Sequence, residues 1–149
     1  MARNGQTERV VVGVDGSPSS LAALEWAADY AARAGGTLEM VSAWDWPHSY
    51  GWAVPLPEGY DPSVDAQGLL DRSQALVRER HPDLEASGVV AQGHPALVLV
   101  KASEHADLLV VGSRGHGEFA GMLLGSVSEH CVTNAHCPVL VYRREAPQD

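Results

Sequence analysis

The chain has 149 residues, 45% of them hydrophobic and 19% charged, which excludes a globally disordered chain and suits one folded domain. Nineteen acidic and ten basic residues give a net charge of -9, so we expect no nucleic-acid partner. Residues 1–9 lack an apolar signal core and no apolar run reaches roughly 18 residues, so we expect a cytoplasmic protein with no membrane partner.

The predicted elements alternate between strands and helices along the chain. A strand over residues 10–14 precedes a helix that begins at Ser17-Pro18 and ends at Gly35-Gly36. There follow a strand over 38–43, a helix stopping near 81, a weaker strand over 88–92, a helix from 95, a strand over 108–111, a helix over 126–135 and a strand over 138–142. This order predicts an α/β fold, an open five-stranded parallel sheet with helices on both faces.

The domain organisation is predicted to be simple. We find no internal repeat and expect a single domain over residues 1–149, with a flexible tail over residues 1–8. One stretch, residues 45–62, breaks the alternation because it contains four of the nine prolines and little periodicity. A structureless loop of this length inside a compact domain is typically mobile or functional.

Ligands of open parallel sheets bind at the carboxyl ends of the strands, so the loops after strands are the candidate sites. The loop after the first strand, Gly13-Val14-Asp15, places a carboxylate at this edge. An acid before a helix is also favoured by the helix dipole alone. A functional interpretation of Asp15 therefore depends on the second loop.

That second loop follows the fourth strand and is rich in glycine. It reads Gly112-Ser113-Arg114-Gly115-His116-Gly117, and Gly125-Ser126 then begins a helix. Glycines let backbone amides approach an anion, and the first N–H groups of a helix form a second anion site. Ser126 could cap that helix or donate its hydroxyl to a phosphate oxygen. The P-loop and Rossmann fingerprints are absent, so the phosphate site is predicted at the fourth strand instead.

The spacing of Gly112, Gly115 and Gly125-Ser126 reproduces the signature G-2x-G-9x-G-[ST], through which the chain resembles ATP-binding universal stress proteins. Residues 10–17 and 109–143 resemble the corresponding family segments. The resemblance implies a Rossmann-like sheet that binds adenine nucleotides. It also implies a set of nucleotide-binding residues, which are Gly13, Val14, Asp15, Ala43, Val111, Gly112, Ser113, Arg114, Gly115, His116, Gly117, Gly125, Ser126 and Val127.

The family resemblance also implies a homodimer formed through the last strand, residues 139–142. An apolar strand at the end of a sheet favours such pairing on physical grounds as well. Residues 45–62 resemble a variable insertion of the family. Mg²⁺ or Mn²⁺ is expected with the phosphates near Asp15, because a divalent ion would offset charge that the acidic protein cannot.

The resulting hypothesis is a nucleotide-dependent switch or sensor in a stress response, with slow or no ATP hydrolysis and no assigned catalytic residue. We expect a binding protein rather than an enzyme, since no lysine follows the glycines and the sequence places no strong general base. Two alternatives stay open. One is a slow ATP hydrolase or nucleotidyl-transfer enzyme of the same architecture, and the other is a dimerising interaction module that binds no nucleotide.

Overall fold

The computed structural model describes residues 7–46, 56–114 and 124–143. The elements in chain order are β1 (Arg9–Gly13), α1 (Pro18–Ala34), β2 (Thr37–Trp44), α2 (Pro62–Arg80), β3 (Glu85–Gln92), α3 (Pro95–Ala102), β4 (Leu108–Gly112), α4 (Ser126–Asn134) and β5 (Val139–Tyr142). A 3₁₀ turn at Ser103–His105 extends α3. Among the helices described here, none combines the length and apolar character needed to cross a membrane.

The five strands form one parallel sheet in the order β3-β2-β1-β4-β5. The chain moves from β1 outward to β3 and then crosses back to the other side of β1 to form β4. The winding direction therefore reverses between β1 and β4, which is where open parallel sheets open a crevice. In the register of these strands, Val12 faces Met40 on β2 and Val110 on β4. The predicted fold class is confirmed.

Helices cover both faces of the sheet, and each face has its own core. Val10, Val12 and Met40 pack with α1 and α2 on one face. Val11 and Leu109 pack with α3 and α4 on the other. Successive residues of the central strands are thus all buried, which explains why these strands read as continuous apolar runs instead of alternating patterns.

The first helix begins and ends where the sequence predicts. Ser17 is its N-cap and accepts a hydrogen bond from Ser20 N over 3.1 Å, while Pro18 occupies the first helical position. Gly35 ends the helix in a left-handed conformation with φ of 66°, which costs a glycine little because it has no Cβ. These caps fix α1 directly after the turn that follows β1.

Two boundaries differ from those expected. Glu8, assigned to the flexible tail, is buried and accepts a hydrogen bond from the Tyr30 hydroxyl over 2.6 Å. β3 begins at Glu85 instead of residue 88, because it pairs with β2 over eight consecutive residues despite its weak strand propensity. Of the predicted loop 45–62, Pro62 belongs to α2 with Asp61 as its N-cap, and residues 47–55 lie outside the described residues.

Candidate functional site

A pocket opens at the C-terminal edge of the sheet, at the reversal between β1 and β4. The cavity itself has a volume of about 90 Å³, and it opens to solvent at its mouth. The ends of β1, β2 and β4 and the first turns of α1, α3 and α4 line it. The pocket therefore lies where the topology predicts a ligand site.

One side of the pocket is apolar. Val41 near the end of β2 and Val111 near the end of β4 are buried, and Leu99 of α3 belongs to the same buried cluster. Ala43 and Val127 line the pocket and are half-buried. Apolar side chains of this kind suit a planar, weakly polar group such as a nucleobase.

The turn after β1 forms a polar side of the pocket and is held by its own side chains. Asp15 Oδ1 accepts a hydrogen bond from Ser17 N over 2.8 Å. Ser20 Oγ accepts one from Asp15 N over 3.0 Å and donates to Gly13 O over 3.3 Å. The carboxylate of Asp15 is therefore fixed at the mouth of the pocket by the turn itself.

The backbone that leaves β4 is already hydrogen-bonded within the protein. Ser113 N donates to Tyr142 O over 2.9 Å, and Ser113 O accepts from Gly125 N over 2.6 Å. Arg114 N donates to Ser19 Oγ over 3.2 Å. The amides of Ser113, Arg114 and Gly125 are thus bonded within the fold.

The start of α4 faces the pocket with its N-terminal end. Gly125 is the N-cap and is buried, and the first α-helical bond runs from Glu129 N to Gly125 O over 2.9 Å. Ser126 is the first helical residue and not the cap, and no side chain of the described chain caps this helix. Gly125, Val127 and Ser128 line the pocket beside this end. The positive end of the helix dipole favours an anionic group here.

Packing requires glycine at residue 112, whereas at Gly13 a Cβ would meet only the end of a flexible side chain that can shift. A Cβ on Gly112 would lie 2.6 Å from Ser19 Oγ and 2.8 Å from the Ser19 carbonyl carbon. A Cβ on Gly13 would lie 2.8 Å from Leu99 Cδ1. The reason for glycine at residue 112 is therefore the close approach of α1 to β4, which the sequence interpretation had assigned to a ligand.

The structure brings most of the predicted site residues to one pocket. Those that line it are Gly13, Val14, Asp15, Ala43, Val111, Gly112, Arg114, Gly125 and Val127. Ser113 and Ser126 lie beside the pocket in the chain without lining it. Gly115, His116 and Gly117 lie outside the described residues.

Five further lining residues were missed by the sequence interpretation. They are Ser20, Val41, Pro95, Leu99 and Ser128. Val41 could have been found, since it lies two positions before Ala43 and so on the same face of β2. Pro95 and Leu99 could not have been found from the sequence, because β3, the strand that leads into α3, has only a weak strand pattern. Within the described chain, no group of three or more metal-ligating side chains occurs near the pocket or elsewhere.

Comparison with known proteins agrees with this geometry. Residues 6–143 match the family model described as the universal stress protein family. Universal stress protein Rv2005c of Mycobacterium tuberculosis is 42% identical over 137 residues, which are 91% of this chain and 45% of that protein. The chain thus spans about half the length of such curated relatives.

Solved structures show the same fold. A universal stress protein in complex with cAMP is 28% identical with a TM-score of 0.70, covering 91% of this chain and 96% of that one. A family protein from Arabidopsis thaliana with AMP bound is 25% identical with a TM-score of 0.62, covering 93% of each chain. The match over most of the sequence, the sheet order and the pocket at its reversal agree, and the chain belongs to the universal stress protein family.

Proposed function

We propose that the chain binds ATP in the pocket between β1 and β4 and acts as a nucleotide-dependent switch or sensor in a stress response. The observation that carries this proposal is the combination of two surfaces in one pocket. Val41 and Val111 supply an apolar side for a base, and the N-terminal end of α4 supplies a positive one for phosphate. A nucleotide has the same division between an apolar base and an anionic end.

The relatives support the adenine nucleotide as the ligand class. The structure at 28% identity holds cAMP and the one at 25% identity holds AMP. Both ligands carry a single phosphate. In our proposal the two further phosphates of ATP are bound by Gly115, His116 and Gly117, the glycine-rich segment that the family resemblance assigns to the nucleotide.

Mg²⁺, or Mn²⁺ in its place, accompanies the ATP in this proposal. Asp15 is the one carboxylate among the described lining residues, and the described chain has no cluster of three metal-ligating side chains. Mg²⁺ is commonly held by one or two carboxylates together with substrate phosphates. Titration with Mg²⁺ alone should therefore give no binding heat, whereas Mg²⁺ should strengthen the binding of ATP.

Slow or absent hydrolysis fits the role of Asp15 in the turn. Its Oδ1 accepts the Ser17 amide, so one of the two carboxylate oxygens is occupied in holding the backbone. A general base needs an oxygen within hydrogen-bonding reach of the attacking water. We infer that Asp15 contributes to positioning and charge instead of proton transfer.

The nucleotide extracted from the purified protein tests this proposal. Intact ATP as the main species, with slow turnover of added ATP, is the expected result. ADP or AMP together with steady turnover would favour a slow hydrolase of the same architecture. A folded protein that carries no nucleotide and gives no heat with ATP and Mg²⁺ would contradict nucleotide binding and favour the interaction module.

We further propose that two copies pair through β5. This strand forms one edge of the sheet, and all four of its residues are half-buried in the single chain. An apolar edge strand is a template for pairing with another strand. A second copy of β5 would satisfy the outward-facing backbone groups of this edge.

A further inference from the structure

The chain leaving β4 is held from several directions before it reaches residue 115. Ser113 is bonded through its amide to Tyr142 of β5 and through its carbonyl to Gly125 at the start of α4. Arg114, the next residue, is bonded through its amide to Ser19 of α1. Of these three bonds, only the last comes from the α1 side, and it acts on the residue nearest to the glycine-rich segment.

Ser19 packs closely against the end of β4. Its Oγ accepts the Arg114 amide over 3.2 Å, and the absence of a side chain at Gly112 lets the same oxygen approach the end of β4. Its neighbour Ser20 serves the other side of the pocket, where it bonds Gly13 O and Asp15 N. Two consecutive serines of α1 thus hold the two loops that flank the pocket, one loop each.

We propose that Ser19 is a positioning residue for the phosphate end of the nucleotide. This inference rests on the proposed function of the pocket. Ser19 does not line the pocket, so it acts through Arg114, which does. By fixing the Arg114 amide, Ser19 holds Arg114 at the side of the pocket where the neighbouring residue Ser113 bonds the N-cap of α4, Gly125. The base end of the pocket, formed by Val41 and Ala43, is held independently of Ser19 by the pairing of β2 with β1 and β3.

This role predicts a selective effect on ligand binding. Loss of the hydroxyl in Ser19→Ala removes the acceptor for the Arg114 amide, and a single hydrogen bond of this kind changes an equilibrium by about 3- to 10-fold. We therefore expect Ser19→Ala to weaken the binding of ATP with Mg²⁺ by about 3- to 10-fold. Adenosine, which lacks phosphates, should bind within about 2-fold of its original affinity. Ser19→Thr keeps the hydroxyl and should restore the ATP affinity.

Ser63 provides the matched control. It occupies the second position of α2 after Pro62, as Ser19 does in α1 after Pro18, and it lies outside the pocket. Calorimetric titration of the original protein, Ser19→Ala, Ser19→Thr and Ser63→Ala with ATP and with adenosine gives the comparison. Ser63→Ala should bind both ligands as the original protein does.

The outcomes separate this inference from the function on which it rests. If the original protein binds ATP and Ser19→Ala binds it equally well, the positioning role is overturned while the proposed function stands. Equal losses for ATP and adenosine would also overturn it, since general damage to the pocket affects both ligands. If the original protein binds neither ligand, the proposed function and this inference fail together.

Discussion

Residue 112 has to be a glycine because the first turn of α1 lies against the end of β4 at this position. A methyl group there would meet the backbone and hydroxyl of Ser19 at 2.6–2.8 Å, and backbone atoms have little room to move away. Overpacking of this kind costs about 1–3 kcal/mol. Gly112→Ala should therefore lower the free energy of unfolding by that amount, as measured by urea denaturation.

Gly68 is the control for that substitution. It lies inside α2, where a Cβ would meet only the end of the flexible Arg72 side chain, at 3.4 Å. Alanine in a helix interior is more stable than glycine by about 0.5–1 kcal/mol. Gly68→Ala should raise the unfolding free energy. A Gly112→Ala protein as stable as the original would show that α1 does not pack against β4 as described.

The sequence identified much of the site at the level of single residues, but not the partners of those residues. Gly112 and Gly125, which the spacing singled out, both line the pocket. The partners of its amides, Ser19 and Tyr142, come from distant parts of the chain and cannot be read from local spacing. For this reason the sequence did not show that the amides of Ser113, Arg114 and Gly125 are bonded within the fold.

Among the elements, α4 is anchored to the sheet by Cys131, which is fully buried in the core beneath α3 and α4. Burial raises the pKa of the Cys131 thiol from its ordinary value of 9.0 to about 11. The unfolded chain begins to lose this proton near pH 9, while the folded protein keeps it to about pH 11. The contribution to stability is thus complete below pH 9 and is lost as the pH rises toward 11.

Replacing the thiol tests this anchor. Urea denaturation at pH 8.5 and pH 10 should show the original protein losing about 1 kcal/mol more stability than Cys131→Ala over this interval, because alanine has no proton to lose. The comparison between the two proteins cancels the other groups whose pKa is raised, Tyr30 and Cys137. Parallel pH profiles for the two proteins would contradict burial of this thiol.

The elements themselves were well predicted where their pattern is strong. α1 has a cap, a proline and a terminal glycine in sequence, and its bounds agree with the prediction. β3 was predicted too short because its first residues, Glu85 and Ala86, have low strand propensity. Its full length comes from pairing with β2, and a Cβ at Gly88 would lie 2.7 Å from the Leu70 side chain of α2. Such tertiary contacts override the local strand propensity, and they cannot be predicted from neighbouring residues in the sequence.

For the whole molecule, the alternation of strands and helices predicted a parallel sheet but not the order of its strands. That order places β5 at an edge, and the bonds from Leu109 N to Pro138 O and from Ser113 N to Tyr142 O point those residues toward β4. Since strand residues alternate in direction, the backbone groups of Val139 and Val141 face outward. They are the groups that a second copy would pair with.

The proposed dimer can be tested at Val141. Proline at this position removes an outward N–H while leaving the bonds to β4 in place, and proline is tolerated in edge strands when its missing N–H faces solvent. Sedimentation should show the original protein and Val141→Thr as dimers and Val141→Pro as a monomer. A monomeric original protein, or a dimeric Val141→Pro, would contradict pairing through β5.

The central claim is that the pocket between β1 and β4 holds the base of an adenine nucleotide, and Ala43 tests it most directly. Ala43 lines the pocket at the end of β2, whereas its register partner Ala91 on β3 lies outside it on the same face. Leucine at residue 43 should fill the space for the base, while leucine at residue 91 should not. In calorimetric titration with ATP and Mg²⁺, we expect the original protein and Ala91→Leu to bind ATP equally well. Ala43→Leu should bind ATP at least about tenfold more weakly, which corresponds to roughly 1.4 kcal/mol of binding free energy lost from the contacts of the base. Equal ATP affinity for Ala43→Leu and the original protein, with both folded, would contradict the account.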